Sequence, residues 1–249
     1  MTCGPAADTL GGVTERLPVF PLGTVLFPGL VLPLHIFEER YRTLVRELVA
    51  RPEADGQEFG VVAIRRGWEV EQLDPEASPP ADATPAPAAV PELYEVGCTA
   101  ELRQVTELKD GRFDIVTVGR RRFQVVAMDT ETAPYLMAEV RWLPEEDPDD
   151  SARILAQRVL LAFRGYLDLL RPDSDVLNRV PDEPTVLSHL VAASVHLTVD
   201  DRQALLAMPD TTDRLRAELR LLKREVALLR QIRAVPAPLS ELARPTSRN

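Results

Sequence analysis

The chain has 249 residues, 45% of them apolar and 27% charged, with a net charge of −10. That length buries a substantial core in one large domain or two small ones, and the acidic balance disfavours a dedicated polyanion binder. Two cysteines, Cys3 and Cys98, form neither a CxxC motif nor a His/Cys metal spacing; this argues against a disulfide-stapled miniprotein and points to a reducing compartment.

Residues 1–14 are small and glycine-rich and read as a flexible tail. Asp8 and Glu15 appear before any basic residue, unlike a secretory signal, so the expected location is cytoplasmic. From Leu17 to Phe37 there is no charged residue, long enough to cross a bilayer if helical. Pro18, Pro21, Pro28 and Pro33 each cost a helix interior about 3 kcal/mol, and Gly23 and Gly29 weaken it further, so the run reads as short buried strands joined by turns. Tyr41, Leu44, Val45, Leu48 and Val49 then recur at helical spacing and predict one amphipathic helix. Phe59–Ile64 predicts a buried strand. Residues 74–91, DPEASPPADATPAPAAVP, have almost no large apolar side chain and read as a disordered Pro/Ala-rich insertion.

Order resumes with VGCTAELRQVTEL, a Lys109-Asp110-Gly111 turn, RFDIVTVG, RRFQVVAM and YLMAEVRWL. Asp-Gly between two alternating runs signals a hairpin, with Ile115, Val116, Val118, Phe123, Val125 and Val126 as expected core. Residues 144–150, PEEDPDD, mark a boundary. Beyond it the period lengthens. Ile154, Leu155, Val159, Leu160, Phe163, Tyr166, Leu167 and Leu170 predict a long helix, and a second covers about Thr185 to Leu197. Thr198 and Asp201 have capping-box spacing for a third running through Met208, and Asp210 or Thr211 caps a fourth reaching about Arg233. On that last helix Leu215, Leu219, Leu222, Val226 and Leu229 form a short heptad seam; intramolecular packing is the expected use, self-association the alternative. Residues 15–143 are thus expected to form a strand-rich subdomain, 150–233 a helical bundle and 234–249 a second flexible tail.

The parts of most catalytic machines are missing. Lys109 and Lys223 are the only lysines, in a turn and on a helix face, which leaves little for a serine-lysine dyad. No P-loop, GxGxxG, HExxH or GxSxG motif occurs, so no cofactor, nucleotide or metal is expected. His189 and His196, seven apart on a predicted helix, would share one face and are read as packing residues. The carboxylate pairs read as solvated surface. Cys98, in an alternating strand, reads as a small buried hydrophobe. Arg120, Arg121 and Arg122 form a candidate phosphate contact for an RNA-binding alternative; the competing reading pairs them with the chain's own acids, which the net charge favours.

The segment from Leu17 to Tyr41, LPVFPLGTVLFPGLVLPLHIFEERY, closely resembles the opening of the Lon protease N-terminal, or substrate-binding, domain family. The likeness continues through VGCTAEL (Val96 to Leu102), DGRFDIVTVGRRRF (Asp110 to Phe123) and RLRAELRLLKRE (Arg214 to Glu225). One departure is Glu39, where relatives often have proline. The resemblance implies an α+β fold, with a PUA-like β-barrel subdomain followed by a C-terminal helical bundle, in a stand-alone bacterial member lacking the ATPase and peptidase modules. It implies a noncatalytic protein recognising unfolded or peptide segments, or a protease or ATPase partner, rather than a membrane. Candidate peptide- or partner-binding residues are Leu26, Phe27 and Pro28, taken as an exposed apolar turn, together with His35, Glu38 and Tyr41. For His35 and Tyr41, core or junction packing is the preferred reading.

Overall fold

The uncharged run near the start of the chain folds as two strands, and its lack of charge has a direct cause. In a computed structural model describing residues 14–52, 56–66, 91–170 and 180–233, β1 (Glu15–Leu22) is buried on both faces. Leu17 and Val19 enter one cluster with Val62, Phe123 and Val140, while Phe20 and Leu22 enter another with Tyr41, Phe59 and Ile115. A strand buried on both sides reads as a continuous apolar run rather than an alternating one. The expected tails at 1–13 and 234–249 and the Pro/Ala-rich stretch at 74–90 lie outside the described residues.

After β2 (Val31–Ile36), α1 (Glu39–Ala50) turns Tyr41, Leu44, Val45 and Leu48 into the second cluster. Val49, expected on the same face, is 49% exposed, because its position falls at the edge of the apolar stripe. Among the described residues, the strands β3 (Glu58–Arg66), β4 (Glu92–Leu93), β5 (Val96–Glu107), β6 (Phe113–Asp129) and β7 (Met137–Trp142) complete a mixed sheet of seven strands. β1 pairs antiparallel with β7 and parallel with β3, so the hydrogen-bonded path β1–β7–β6–β5–β3 returns to its starting strand. The predicted hairpin joins β5 to β6, with Gly111 at φ +78° in the turn, a conformation that favours glycine. RFDIVTVG and RRFQVVAM are one long strand. A register shift between Val125 and Ala127 accompanies the outward turn of Val126, which was expected in the core.

β2 lies off the closed path and, among the described strands, pairs with β6 alone, from Val31 opposite Val118 to Ile36 opposite Phe113. Its entry depends on Gly119. The Gly29 N–H donates to the Gly119 carbonyl at 2.8 Å, and the Gly119 N–H donates to the Leu30 carbonyl at 2.9 Å. A Cβ at Gly119 would stand 2.2 Å from the Phe27 carbonyl oxygen.

Among the described residues, β7 is followed by α2 (Asp150–Leu170), α3 (Pro184–Ser194), α4 (Val199–Ala207) and α5 (Thr211–Arg233). The expected caps form: Thr198 Oγ1 accepts from the Asp201 N–H at 3.1 Å, and Asp210 Oδ1 accepts from the Asp213 N–H at 3.0 Å. Chain contacts divide the protein into two compact units. One contains the described residues up to Glu145 plus Leu197–Pro209; the other contains the described residues of Glu146–His196 and of the chain from Asp210 to Arg233. The sequence reading grouped α4 with the other helices, but α4 belongs to the strand unit. Its buried Gln203 donates from Nε2 to the Val96 carbonyl of β5 at 2.7 Å, and Asp200 accepts from the Tyr94 hydroxyl.

In the second unit α2, α3 and α5 pack on one another. Asp149 accepts from the Ala152 N–H at 2.7 Å and from the Thr212 hydroxyl at 3.0 Å, capping α2 and tying it to the start of α5. Leu215, Leu219 and Leu222 of the heptad seam are buried inside this unit. Ile154, expected to face inward, is 67% exposed. His189 is buried, whereas His196 lies beyond the end of α3 and is exposed, so the two do not share a helix face.

Gly119→Ala forces its new methyl group against main chain rather than a mobile side chain. We expect a loss of about 1–3 kcal/mol in urea unfolding, together with faster amide exchange at Gly29, whose N–H is bonded to the Gly119 carbonyl; an unchanged midpoint contradicts the close approach.

Candidate functional site

The three turn residues do not form an exposed patch. Leu26 is 4% exposed and Phe27 is fully buried, leaving only Pro28 half-exposed. The close approach of this turn to Gly119 holds it down on β6. Tyr41 is likewise interior, its ring stacked on Phe20 at 3.8 Å. Glu38 stands at the N-terminal boundary of α1, where its carboxylate pairs with Arg40 at 2.7 Å and its carbonyl accepts from the Arg42 N–H at 2.9 Å. His35 is separated from both: it lies exposed on β2, contrary to the packing expected for it.

The environment of His35 identifies its tautomer. Nδ1 is 2.6 Å from Asp114 Oδ1, and Nε2 is 3.2 Å from Arg112 Nη1. A guanidinium only donates, so Nε2 accepts and Nδ1–H donates to Asp114. Arg112 is itself fixed by Asp110, to which its Nε donates at 2.6 Å. Both ring nitrogens are engaged, which orients His35 as a cross-strand tie between β2 and β6 rather than as a free base. This tie sits at one end of an outer face on which Val31, Pro33 and His35 alternate with the inward Leu32, Leu34 and Ile36. A shallow depression of about 360 Å³ is lined by Pro33, His35, Gln104, Thr106, Asp114 and Val116. Val31 is 63% exposed and Phe37, just past the strand, 46%.

Sequence reasoning missed Val31, Phe37 and Pro33 as surface features. The available signal was Pro33 itself: proline lacks the donor that a central strand needs, so a proline inside VLPLHI marks an edge strand.

The arginine run separates into two surface residues and one interior residue. Arg120 pairs with Glu101 at 3.1 Å; Arg121 pairs with Glu58 at 2.8 Å and lies 3.8 Å over the Trp142 ring. Arg122 is buried. Its Nε donates to Glu145 at 2.9 Å, Nη1 to the carbonyls of Leu206 at 3.0 Å and Met208 at 2.6 Å, and Nη2 to those of Pro144 and Pro209 at 3.3 and 3.4 Å. Arg122 is therefore withdrawn from the candidate phosphate contact, since it is interior and closes the C-terminal end of α4, while Arg120 and Arg121 stand at the surface beside the chain's own carboxylates.

Two buried groups outside this face also matter. Burial pushes the Cys98 thiol up to about 12, as expected for a packed, unreactive cysteine. In the helical unit Ser188 donates to Glu218 at 2.8 Å and accepts from Arg214 Nε at 2.6 Å, and burial pushes the Glu218 carboxyl well above the ordinary range. Among the described residues no group of three or more His, Cys, Asp or Glu side chains is placed to hold a metal ion, and no helix is long and apolar enough to cross a membrane.

Arg122→Ala leaves several carbonyls and Glu145 without their buried donor and is expected to cost about 3–5 kcal/mol in urea unfolding, whereas Arg120→Ala changes it by at most about 0.5 kcal/mol. Equal losses contradict this division. Cys98 should resist iodoacetamide at mildly alkaline pH in the native protein and react fully in denaturant. Peptide mass spectrometry, which separates it from Cys3, reads the difference; native labelling at the denatured rate contradicts its burial.

Residues 16–224 match the family described as the ATP-dependent protease La (LON) substrate-binding domain. The chain is 29% identical over 204 residues to Lon protease 2 of Syntrophobacter fumaroxidans, covering 80% of this chain and 23% of that protein. It is 28% identical over 224 residues to Lon protease 2 of Myxococcus xanthus, covering 88% and 24%. The chain thus spans about a quarter of the length of these relatives. Its fold is similar to the N-terminal domain of Mycobacterium avium complex Lon protease, with a TM-score of 0.59, 19% identity and coverage of 86% of this chain and 98% of that one. It is also similar to a Lon N-terminal domain protein from Xanthomonas campestris, with a TM-score of 0.55, 24% identity and coverage of 83% and 98%. The chain belongs to the Lon substrate-binding domain family.

Proposed function

We propose that this protein is a noncatalytic recognition module that binds exposed segments of other proteins through the outer face of β2 and β6. The observation that carries the proposal is family membership across residues 16–224, joined to an accessible apolar surface at Val31, Pro33 and Phe37 in the strand unit. Exposed apolar side chains beside a formed sheet suit the capture of unfolded polypeptide, whose own apolar residues lack a core. In this reading the closed strand path is a PUA-like barrel, and α2, α3 and α5 form a helical bundle. Cytoplasmic placement accords with the buried free thiol of Cys98. The engaged arginines give the RNA-binding alternative no footing.

Reduced, carboxymethylated α-lactalbumin, which stays unfolded, is a suitable probe. Saturable binding of this form, weaker binding of native α-lactalbumin and no cleavage of either with or without ATP are the expected results. Val31→Asp with Phe37→Asp should weaken capture by about tenfold, since a few anchors dominate such surfaces. Failure to bind the unfolded form, or cleavage abolished by a substitution in this chain, overturns the proposal.

A further inference from the structure

We infer that the outward edge of β2 is a strand-addition site, along which an extended apolar segment of an unfolded polypeptide docks as a further strand of the sheet. This rests on the recognition reading above and specifies how the surface takes its substrate.

The main-chain geometry comes first. The Leu30 carbonyl accepts from the Gly119 N–H at 2.9 Å and the Leu32 carbonyl accepts from the Thr117 hydroxyl at 2.9 Å, so the even-numbered positions direct their main-chain groups toward β6. Alternation along an antiparallel pair turns the groups of Val31, Pro33 and His35 the other way. The edge therefore offers the N–H groups of Val31 and His35 and the carbonyls of Val31, Pro33 and His35. Pro33 fits this assignment, because proline is tolerated where the missing N–H would have faced away from the sheet. Among the described strands none pairs with this edge.

The side chains on the inner face add a second reason. Leu30, Leu32 and Leu34 pack against the cluster containing Phe20, Tyr41 and Ile115, yet remain only partly buried. The apolar layer thus ends before it is fully covered, and a strand laid beside β2 would place alternate side chains against these leucines. An extended polypeptide is the occupant that supplies both a matching ladder of donors and acceptors and apolar side chains at the required spacing. Apart from His35, β2 carries no ionisable side chain, so selection rests on apolar content.

A second copy of this chain fits less well. Two-fold pairing of β2 with itself about Pro33 sets each Pro33 carbonyl opposite the other copy's proline nitrogen, which has no hydrogen to donate. A net charge of −10 on each copy opposes the encounter further.

Residue-resolved amide exchange on the intact protein, with and without unfolded α-lactalbumin, tests the inference directly. Val31 and His35 should become protected together when the probe is added. Val31→Pro removes one outward donor that β6 does not use, and should weaken probe binding by about tenfold with an unchanged circular dichroism spectrum. If that variant does not fold, the exchange result on the unaltered chain decides alone. Probe binding without protection at Val31 and His35 overturns the edge site while leaving the recognition reading intact. Protection that appears without probe and grows with protein concentration assigns the edge to a second copy, which also overturns it. No probe binding at all overturns the recognition reading and this inference together.

Discussion

A single buried guanidinium joins segments of the strand unit that lie far apart in sequence. Burying an ion costs several kcal/mol unless its hydrogen-bonding groups are satisfied, and Arg122 meets that condition with Glu145 and carbonyls from two separate segments. Three of those carbonyls, from Leu206, Met208 and Pro209, lie at the C-terminal end of α4 and just beyond it, where the helix dipole favours a cation. Arginine suits the position because its planar fork directs several donors at once, which an ammonium on a flexible stem does not. Together with Gln203 bound to Val96, this contact explains why a helix following α2 and α3 in sequence belongs with the strands.

That long-range tie also marks what the sequence does not reveal. Local signals transmit well: the Asp110-Gly111 turn, the stripe along α1 and the Thr198–Asp201 cap all specify elements whose cause lies within a few residues. A cap identifies where a helix begins and carries no information about its neighbour. α4 is short, and its buried positions include Gln203, so its side chains do not announce a partner. Arg122 gave a misleading signal for the same reason. Three consecutive arginines look like one basic cluster, but the β5–β6 register shifts between Cys98 and Ala100, opposite these residues, so alternation is broken here, and the interior arginine is occupied by groups more than 80 positions away.

The candidate site was legible as a stretch of chain and not as a surface. The segment running from Leu26 to Tyr41 is where the accessible face lies, yet its exposed and buried members exchange the roles expected of them. Leu26 and Phe27 sit in a turn, which ordinarily implies exposure, but the missing side chain of Gly119 lets that turn settle onto β6. His35 lies in an apolar neighbourhood that implied burial, whereas strand alternation places it outside, where Asp114 and Arg112 hold it. Both reversals arise from β6, which the local sequence around positions 26–35 does not describe.

An exposed strand edge carries a cost, since the groups that bind an unfolded segment also invite a second copy of the protein. β2 moderates this through Pro33, which interrupts the row of donors at its centre and leaves donors at Val31 and His35. A longer uninterrupted edge would bind extended chains more tightly and with less discrimination against itself. The compromise also explains why His35 is tied to Asp114 and Arg112: an edge strand held by one neighbour needs an additional cross-strand contact to keep its register. All the residues involved, from Val31 to Phe37 and from Arg112 to Gly119, belong to the strand unit. In the proposed reading, capture by this face therefore depends on the register between β2 and β6.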